Sequence, residues 1–222
     1  MKTVKDKYVL VGADFAGFPL KEVVVADLKA RGWNVTDIGV KSANEDKPEM
    51  FHRIGLKVGA KITEREFERA LLFCGTGTGI HIAASKCPHV HTTVVESVAA
   101  AKRAITGNNV NVLAMGAFYV APQMGIECSR AFLENNLGSG WEYWNNFYEF
   151  HKLAYDELEA FDYEKFKNNN FVLLHCVSNY PCSHQSLNLN VLNTLKSKFK
   201  CDVGFSDPVS YTHLTLPTNR EV

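Results

Sequence analysis

Short apolar segments alternate with amphipathic segments along roughly the first 135 residues of the chain. The apolar segments predict β-strands at 8–14, 34–40, 69–74, 91–96 and 110–116. The amphipathic segments predict helices at 19–32, about 50–62, 79–86, 97–106 and 121–134. Alternation of strands and helices at these lengths is typical of βαβ units. We therefore expect an α/β fold with a parallel five-stranded sheet and helices on both of its faces.

The first predicted helix has a clear apolar face. Its four apolar residues at helical spacing are Leu20, Val23, Val24 and Leu28. A proline opens the segment and Gly32 ends it, which are common helix start and stop signals. We expect this face to pack on the sheet.

The pattern changes after Gly138. Residues 138–166 are rich in aromatic and acidic residues and predict a helical C-terminal extension with an irregular beginning. We interpret it as packing an aromatic face on the domain or on a neighbouring subunit. Beyond it, a strand at 171–181, a helix at 188–199 and a strand at 201–208 are predicted, whereas 209–222 has neither period and predicts no regular structure.

Composition narrows the classes of function. The 222 residues contain 24 Lys and Arg and 24 Asp and Glu, so the formal net charge is zero and gives no electrostatic signature of nucleic acid or acidic membrane binding. No apolar run reaches the roughly 20 residues of a membrane span, and the amino terminus lacks a signal-peptide pattern. The six cysteines match no zinc-site or disulfide spacing. We interpret them as reduced thiols in a cytoplasmic protein.

Several chemically useful residues end predicted strands. Asp14, Cys74, Glu96 and Gly116 all stand at carboxyl ends. Ligands of parallel sheets bind at this edge. The pattern therefore gathers these residues along one candidate site.

The most distinctive segment is CGTGTG, residues 74–79. It lacks the lysine of a phosphate-binding Walker loop, and its glycines follow the third strand at a spacing that a dinucleotide fingerprint does not have. It fits an anion cradle of backbone N–H groups at a helix N-terminus. The same field is expected to lower the pKa of the Cys74 thiol.

A thiolate beside such a cradle suits attack on a carbonyl or removal of the proton α to one. Attack would require a histidine base, and His81 is better placed as a wall residue. Proton removal requires a further group to move protons between oxygens, which Thr76 or Asp14 could supply. The alternative without function is a tight glycine turn after a buried cysteine.

Three motifs together resemble the ribose-5-phosphate isomerase type B and galactose-6-phosphate isomerase family: GADFAGFPLK, CGTGTGIHIAASK and NNVNVLAMG. The resemblance implies a Rossmann-like homodimer that interconverts aldose and ketose phosphates through an enediol without metal or organic cofactor. It implies that Cys74 is the base working between C1 and C2, that Asp14 and Asn108 bind substrate hydroxyls, and that an anion hole is formed by Gly75, Thr76, Gly77 and Gly79. We predict catalytic roles for Cys74, Thr76 and Asp14, and we add Thr78 and Phe15 to the substrate-binding candidates.

The chain departs from that family at several positions. Phe15 stands where a histidine is usual, Gly107 replaces the histidine that assists ring opening, and Phe118 replaces an arginine. The segment GSGWEYW replaces a phosphate-binding GGRH. Trp141, Tyr143 and Trp144 could instead stack on a sugar or pack against a subunit. A bound phosphate would then need one of four other basic residues: Lys86, Lys102, Arg103 or Arg53.

The C-terminal part resembles a different family. Residues 169–208 resemble one strand–helix–strand unit of N-acetylneuraminate synthases, too little to close a (β/α)₈ barrel of ~250 residues. The last residues, SYTHLTLPTNREV, resemble translated adapter sequence. We therefore expect a chimera with an isomerase-like domain at 1–167, a partial synthase-like segment at 168–208 and a disordered tail at 209–222.

The resulting function hypothesis is an aldose–ketose isomerase that acts on a sugar phosphate of the ribose 5-phosphate or galactose 6-phosphate type. Two alternatives remain open: an isomerase of non-phosphorylated sugars, and a catalytically weak sugar-binding partner subunit. The expected partners are a small sugar or sugar phosphate and a second copy of the chain, with no nucleic acid and no membrane.

Overall fold

The computed structural model describes residues 1–163, 172–176, 188–199 and 202–206. The chain divides into two compact units, Met1–Glu159 and Ala160–Val222. Within the described part, no helix has both the length and the apolar character that a bilayer span requires.

The first unit alternates strands and helices as the apolar pattern predicts. Its strands are β1 (Tyr8–Ala13), β2 (Asn34–Asp37), β3 (Ala70–Cys74), β4 (Thr92–Val94) and β5 (Val112–Gly116). Its helices are α1 (Phe18–Ala30), α2 (Phe51–Thr63), α3 (Thr78–Ala84), α4 (Val98–Asn108), α5 (Pro122–Leu133) and α6 (Phe147–Glu159). The prediction of a parallel five-stranded α/β sheet with a helical extension is confirmed.

All strand pairs of this sheet are parallel, and the order is β2-β1-β3-β5-β4. Side chains that alternate along β3 separate two apolar cores. Leu71 and Phe73 join the core beneath α1, α4 and α5. Leu72 and Cys74 join the core beneath α2 and α3. Both faces are covered, as a parallel sheet requires.

The buried face of α1 differs from its prediction at two positions. Val23 was expected to be buried, but it is 36% exposed, whereas Lys21 is fully buried. The Lys21 ammonium donates to Asp37 Oδ2 at 2.8 Å and to the Val40 carbonyl at 2.6 Å. Because these partners compensate the buried charge, Lys21 lies on the buried face of α1, where hydrophobicity alone predicts Val23.

Helix α6 is held on the first unit at its two ends. At its start, Phe147 is buried and stacks on Trp141 with ring centroids 5.0 Å apart. At its end, Glu159 accepts hydrogen bonds from His89, at 2.6 Å, and from His91. The remaining face of α6 is exposed, as Tyr148, Phe150, Leu153 and Leu158 show.

In the second unit, β6 (Val172–Cys176) pairs in parallel with β7 (Asp202–Ser206), and α7 (Asn190–Phe199) lies between them in sequence. The strand–helix–strand prediction for this part is confirmed. The predicted unstructured segment 209–222 lies outside the described residues.

Candidate active site

Cys74 ends β3 and is 4% exposed. The backbone N–H of Gly77 donates to its Sγ at 3.1 Å. This contact depends on the left-handed conformation of Gly77 (φ +79°), which glycine adopts without strain. The hydrogen bond fixes the sulfur at the beginning of the loop. Gly77 was predicted to bind substrate, but in this structure its N–H points to the thiol.

Asp14 directly follows β1, and its N–H donates to the carbonyl of Phe73, the residue before Cys74, at 3.2 Å. The register pairs Ala13 of β1 with Phe73 of β3, so the next positions, Asp14 and Cys74, are neighbours across the pair. Cys74 belongs to the core beneath α2 and α3, and alternation continued from β1 directs Asp14 to the same face. Burial raises the pKa of the Asp14 carboxyl, and hydrogen bonds from the amides of Gly17 and Ala16 only partly oppose this.

The rest of the loop leads directly into α3. Thr76 is exposed, and its Oγ1 accepts from the Thr78 N–H at 3.3 Å. Thr78 and Gly79 occupy the first turn of α3, where backbone N–H groups have no intrahelical acceptor. Gly116 of β5 lies so close that a Cβ placed on it would be 2.5 Å from the Thr76 carbonyl carbon. The loop is therefore packed tightly against the end of β5.

Two aromatic rings lie over the ends of this loop. A Cβ placed on Gly75 would be 2.5 Å from the Phe118 ring, and one placed on Gly79 would be 2.7 Å from the Phe51 ring. Both rings are largely open to solvent, as is Phe15 after β1. Phe51 was not predicted as a site residue, because no sequence signal shows that the start of α2 reaches α3.

Asn108 lies away from the other predicted residues. It ends α4, which runs antiparallel to the strands, and the following Asn109 lines a cavity with Arg69, which precedes β3. Asn108 is therefore at the amino edge of the sheet, separated from Cys74 by about 13 Å of β3. One chain does not bring Asn108 and Cys74 together.

The four candidate phosphate-binding residues also lie away from the loop. Lys86 follows the far end of α3, and Lys102 is beside Gly140. The Arg103 guanidinium carbon is 3.9 Å from the centroid of the Trp141 ring. Arg53 lies in the first turn of α2, at the same edge of the sheet as the loop. It is two residues after Phe51, and helical spacing therefore directs its side chain to the opposite side of α2.

Of the aromatic residues proposed for stacking, Trp141 packs within its own chain. Its ring lies beneath Arg103, and its Nε1 donates to Thr106 Oγ1 at 3.2 Å. Tyr143 and Trp144 remain exposed.

His81 contacts β4, and Gly107 lies in the last turn of α4. His81 Nδ1 is 3.1 Å from Thr92 Oγ1 on β4, and burial lowers the pKa of the imidazole. Its imidazole therefore has a threonine partner on β4, and its role as a wall residue stays a prediction. Gly107, at the position of the ring-opening histidine, is buried, and a Cβ placed on it would be 3.8 Å from His151 Cε1.

Known proteins resemble this chain along the first unit. A 4-deoxy-4-sulfo-D-erythrose isomerase of Clostridium sp. is 37% identical over 154 residues, which are 69% of this chain and 94% of the relative. The D-erythrulose-4-phosphate isomerase 2 of Mycolicibacterium smegmatis is 35% identical over 59% of this chain and 83% of the relative. The crystal structure of ribose-5-phosphate isomerase B from Mycoplasma genitalium with bound ribulose-5-phosphate superposes with a TM-score of 0.60 and 26% identity, covering 71% of this chain and 96% of that one.

Two family models match different parts of the sequence. The NeuB family model matches residues 150–216, which supports the resemblance of the C-terminal part to a synthase, although the match begins before the predicted segment 168–208. The model described as Ribose/Galactose Isomerase matches residues 9–145, which include the Cys74 loop and Asp14. The chain therefore belongs to the ribose/galactose isomerase family of sugar-phosphate isomerases.

Proposed function

We propose that this enzyme interconverts a four-carbon aldose and its ketose, with a phosphate or sulfonate on the fourth carbon, by proton transfer at Cys74. The Cys74 thiolate removes the proton from C2 of the aldose and returns it to C1, so that an enediolate forms between the two steps. Asp14 and Thr76 exchange the hydroxyl proton between O1 and O2. No oxidant or cofactor is needed, because the product is an isomer of the substrate.

The geometry of the loop supports this assignment. The Gly77 N–H holds the Cys74 sulfur beside the loop, and the first-turn amides of α3 can receive the enediolate oxygen. The raised pKa of Asp14 lets this carboxyl hold a proton more readily than an exposed aspartate does. Positioned groups of this kind each contribute about 10²–10⁴-fold to a rate.

The choice of a four-carbon substrate depends on Gly107. An aldopentose closes its ring through the oxygen on C4 or C5, and an isomerase must open that ring before C2 can be deprotonated. A four-carbon sugar with phosphate or sulfonate at C4 has no free hydroxyl that closes such a ring. The replacement of the ring-opening histidine by glycine therefore does not slow the isomerisation of this substrate. Two relatives, named for a sulfo-erythrose and for erythrulose 4-phosphate, support the same choice.

Deuterium incorporation in D₂O tests this function. Erythrose 4-phosphate, 4-deoxy-4-sulfo-erythrose, ribose 5-phosphate, galactose 6-phosphate and the free sugars are compared by NMR and by turnover. We expect the highest kcat/KM for the two four-carbon anions. A higher value for ribose 5-phosphate would contradict the four-carbon proposal, and exchange into no sugar would favour a binding subunit.

We propose further that the enzyme acts as a homodimer. Asn108 can reach the same substrate as Cys74 only from a second copy, since the two residues lie at opposite edges of one sheet. The exposed aromatic and aliphatic side chains of α6 offer a surface for that contact.

Mixing two inactive variants tests a shared site. Cys74→Ala and Asn108→Ala are each expected to be inactive alone. In a randomly exchanged mixture, heterodimers contain one intact site, so we expect about one quarter of wild-type activity. A mixture that stays inactive after verified subunit exchange would show that both residues serve the site of one chain, and an Asn108→Ala protein that is active alone would show that Asn108 has no role.

A further inference from the structure

The exposed rings of Phe118 and Phe51 are unusual because they are fixed in place. Phe118 is 70% exposed, yet its own N–H donates to the Gly75 carbonyl and that of Ala117 donates to the Cys74 carbonyl, both at 2.9 Å. Its ring is therefore tied to the reactive loop by the backbone beneath it.

Phe51 is fixed from the opposite side. It is the first residue of α2 and contacts His52 edge-on, with ring centroids 5.4 Å apart. Helix α2 lies close against α3, because a Cβ placed on Gly55 would be 2.6 Å from the Ile80 carbonyl oxygen. This close packing holds the Phe51 ring over Gly79, although 40% of the side chain is exposed.

The two rings stand at opposite ends of a five-residue stretch, Gly75–Gly79. Neither ring carries charge, and both present apolar surface to solvent next to backbone N–H groups. Exposed apolar surface around a few polar groups is typical of a ligand site. A ligand that lies along the loop must fit between the rings and gains apolar contact from each.

We propose that Phe118 and Phe51 are specificity-determining residues whose rings limit the carbon chain that can lie over the Cys74 loop. This inference rests on the proposed isomerase function. A short open chain fits between the rings, whereas a longer chain or a closed ring meets one of them. The neighbouring Tyr119 is a matched control, because it is 63% exposed and is not among the atoms nearest to a Cβ on Gly75.

The test compares Phe118→Ala, Phe51→Ala and Tyr119→Ala with the wild type. For each protein, the ratio of kcat/KM for ribose 5-phosphate to that for erythrose 4-phosphate is measured. Removing a wall in a pocket changes discrimination by about 10–200-fold, so we expect this ratio to rise at least about tenfold in the two phenylalanine variants. Tyr119→Ala is expected to keep the wild-type ratio.

A second measurement separates this inference from the proposed function. Calorimetry with four-carbon and five-carbon aldonate phosphates, which do not react, gives the same comparison without turnover. A wild type that binds the four-carbon ligand better but turns over no sugar would refute the proposed function and not the role of the rings. A wild type that prefers the five-carbon ligand would overturn both. An unchanged ratio in both phenylalanine variants, or an equal loss for short and long ligands, would overturn the inference.

Discussion

Replacing Cys74 with alanine is expected to lower isomerase turnover and deuterium exchange by about 10²–10⁴-fold. The substitution removes the only atom in the loop that can accept the C2 proton, while the loop amides stay in place. Cys74→Ser should be nearly as inactive, because a hydroxyl can accept the Gly77 hydrogen bond but does not ionise near neutral pH. Turnover of the three proteins on the best sugar of the panel provides the measurement.

Cys128→Ala is the matched control for this prediction. Cys128 is also buried, but it lies in the core beneath α1, α4 and α5, on the other face of the sheet from Cys74. Burial, with a contribution from Glu127, raises the pKa of its thiol to about 11, so it stays protonated. We expect Cys128→Ala to remain active. Near wild-type turnover in Cys74→Ala would rule out the thiol as the base.

The fold was largely predictable because local pattern and tertiary structure agree. Each apolar run of β1, β3 and β5 is buried on both faces, so hydrophobicity alone marks these strands. The order of the strands in the sheet was not predictable, because no residue in β4 or β5 shows that β5 inserts between β3 and β4. That choice depends on long-range packing, which the periodicity of a segment does not report.

The candidate site was predictable only where it depends on strand ends. Cys74 and Asp14 became neighbours because parallel strands align their carboxyl ends. Asn108 was grouped with them by resemblance, but it lies at the end of an antiparallel helix, where topology places it at the other edge. The rings over the loop were not predictable, since the contact of Phe51 with Gly79 depends on how closely α2 and α3 approach.

The burial of Lys21 was also not predictable from the sequence, because the low hydrophobicity of lysine predicts an exposed side chain. The ammonium has three donors, and it meets Asp37, the Val40 carbonyl and Glu22 Oε1 within 3.0 Å. Asp37 is the last residue of β2, and its Oδ1 accepts from the N–H of Gly39 in the following loop at 2.9 Å. Burial alone would raise the pKa of Asp37, but the hydrogen bonds from Lys21 and Gly39 and the charges of Lys21 and Lys41 lower it overall.

These contacts connect Lys21 to the site. The Val40 N–H donates to the Ala13 carbonyl at 2.8 Å, and Asp14 follows directly. The lysine therefore holds the loop after β2 against the strand end that carries Asp14. Removing one partner of a buried pair leaves the other charge uncompensated, which is the costly case.

Lys21→Met is therefore expected to lower the free energy of unfolding of the first unit by about 3 kcal/mol, the lower end of the range for a broken buried pair, because Lys41 still faces Asp37. All three tryptophans, Trp33, Trp141 and Trp144, belong to the first unit, so urea unfolding followed by tryptophan fluorescence reports this unit.

Three further measurements make this prediction specific to the buried pair. Glu22→Gln removes an exposed partner and should cost at most about 1 kcal/mol. Lys21→Met combined with Asp37→Leu should recover much of the loss, because no unpaired charge remains. Since the pKa of Asp37 is lowered in the folded protein, the stabilisation is present above the usual aspartate pKa and is lost as the pH falls through the folded value. The difference between Lys21→Met and wild type should therefore shrink in acid, and a difference that stays constant down to pH ~2 would show that the lysine acts by packing rather than by charge.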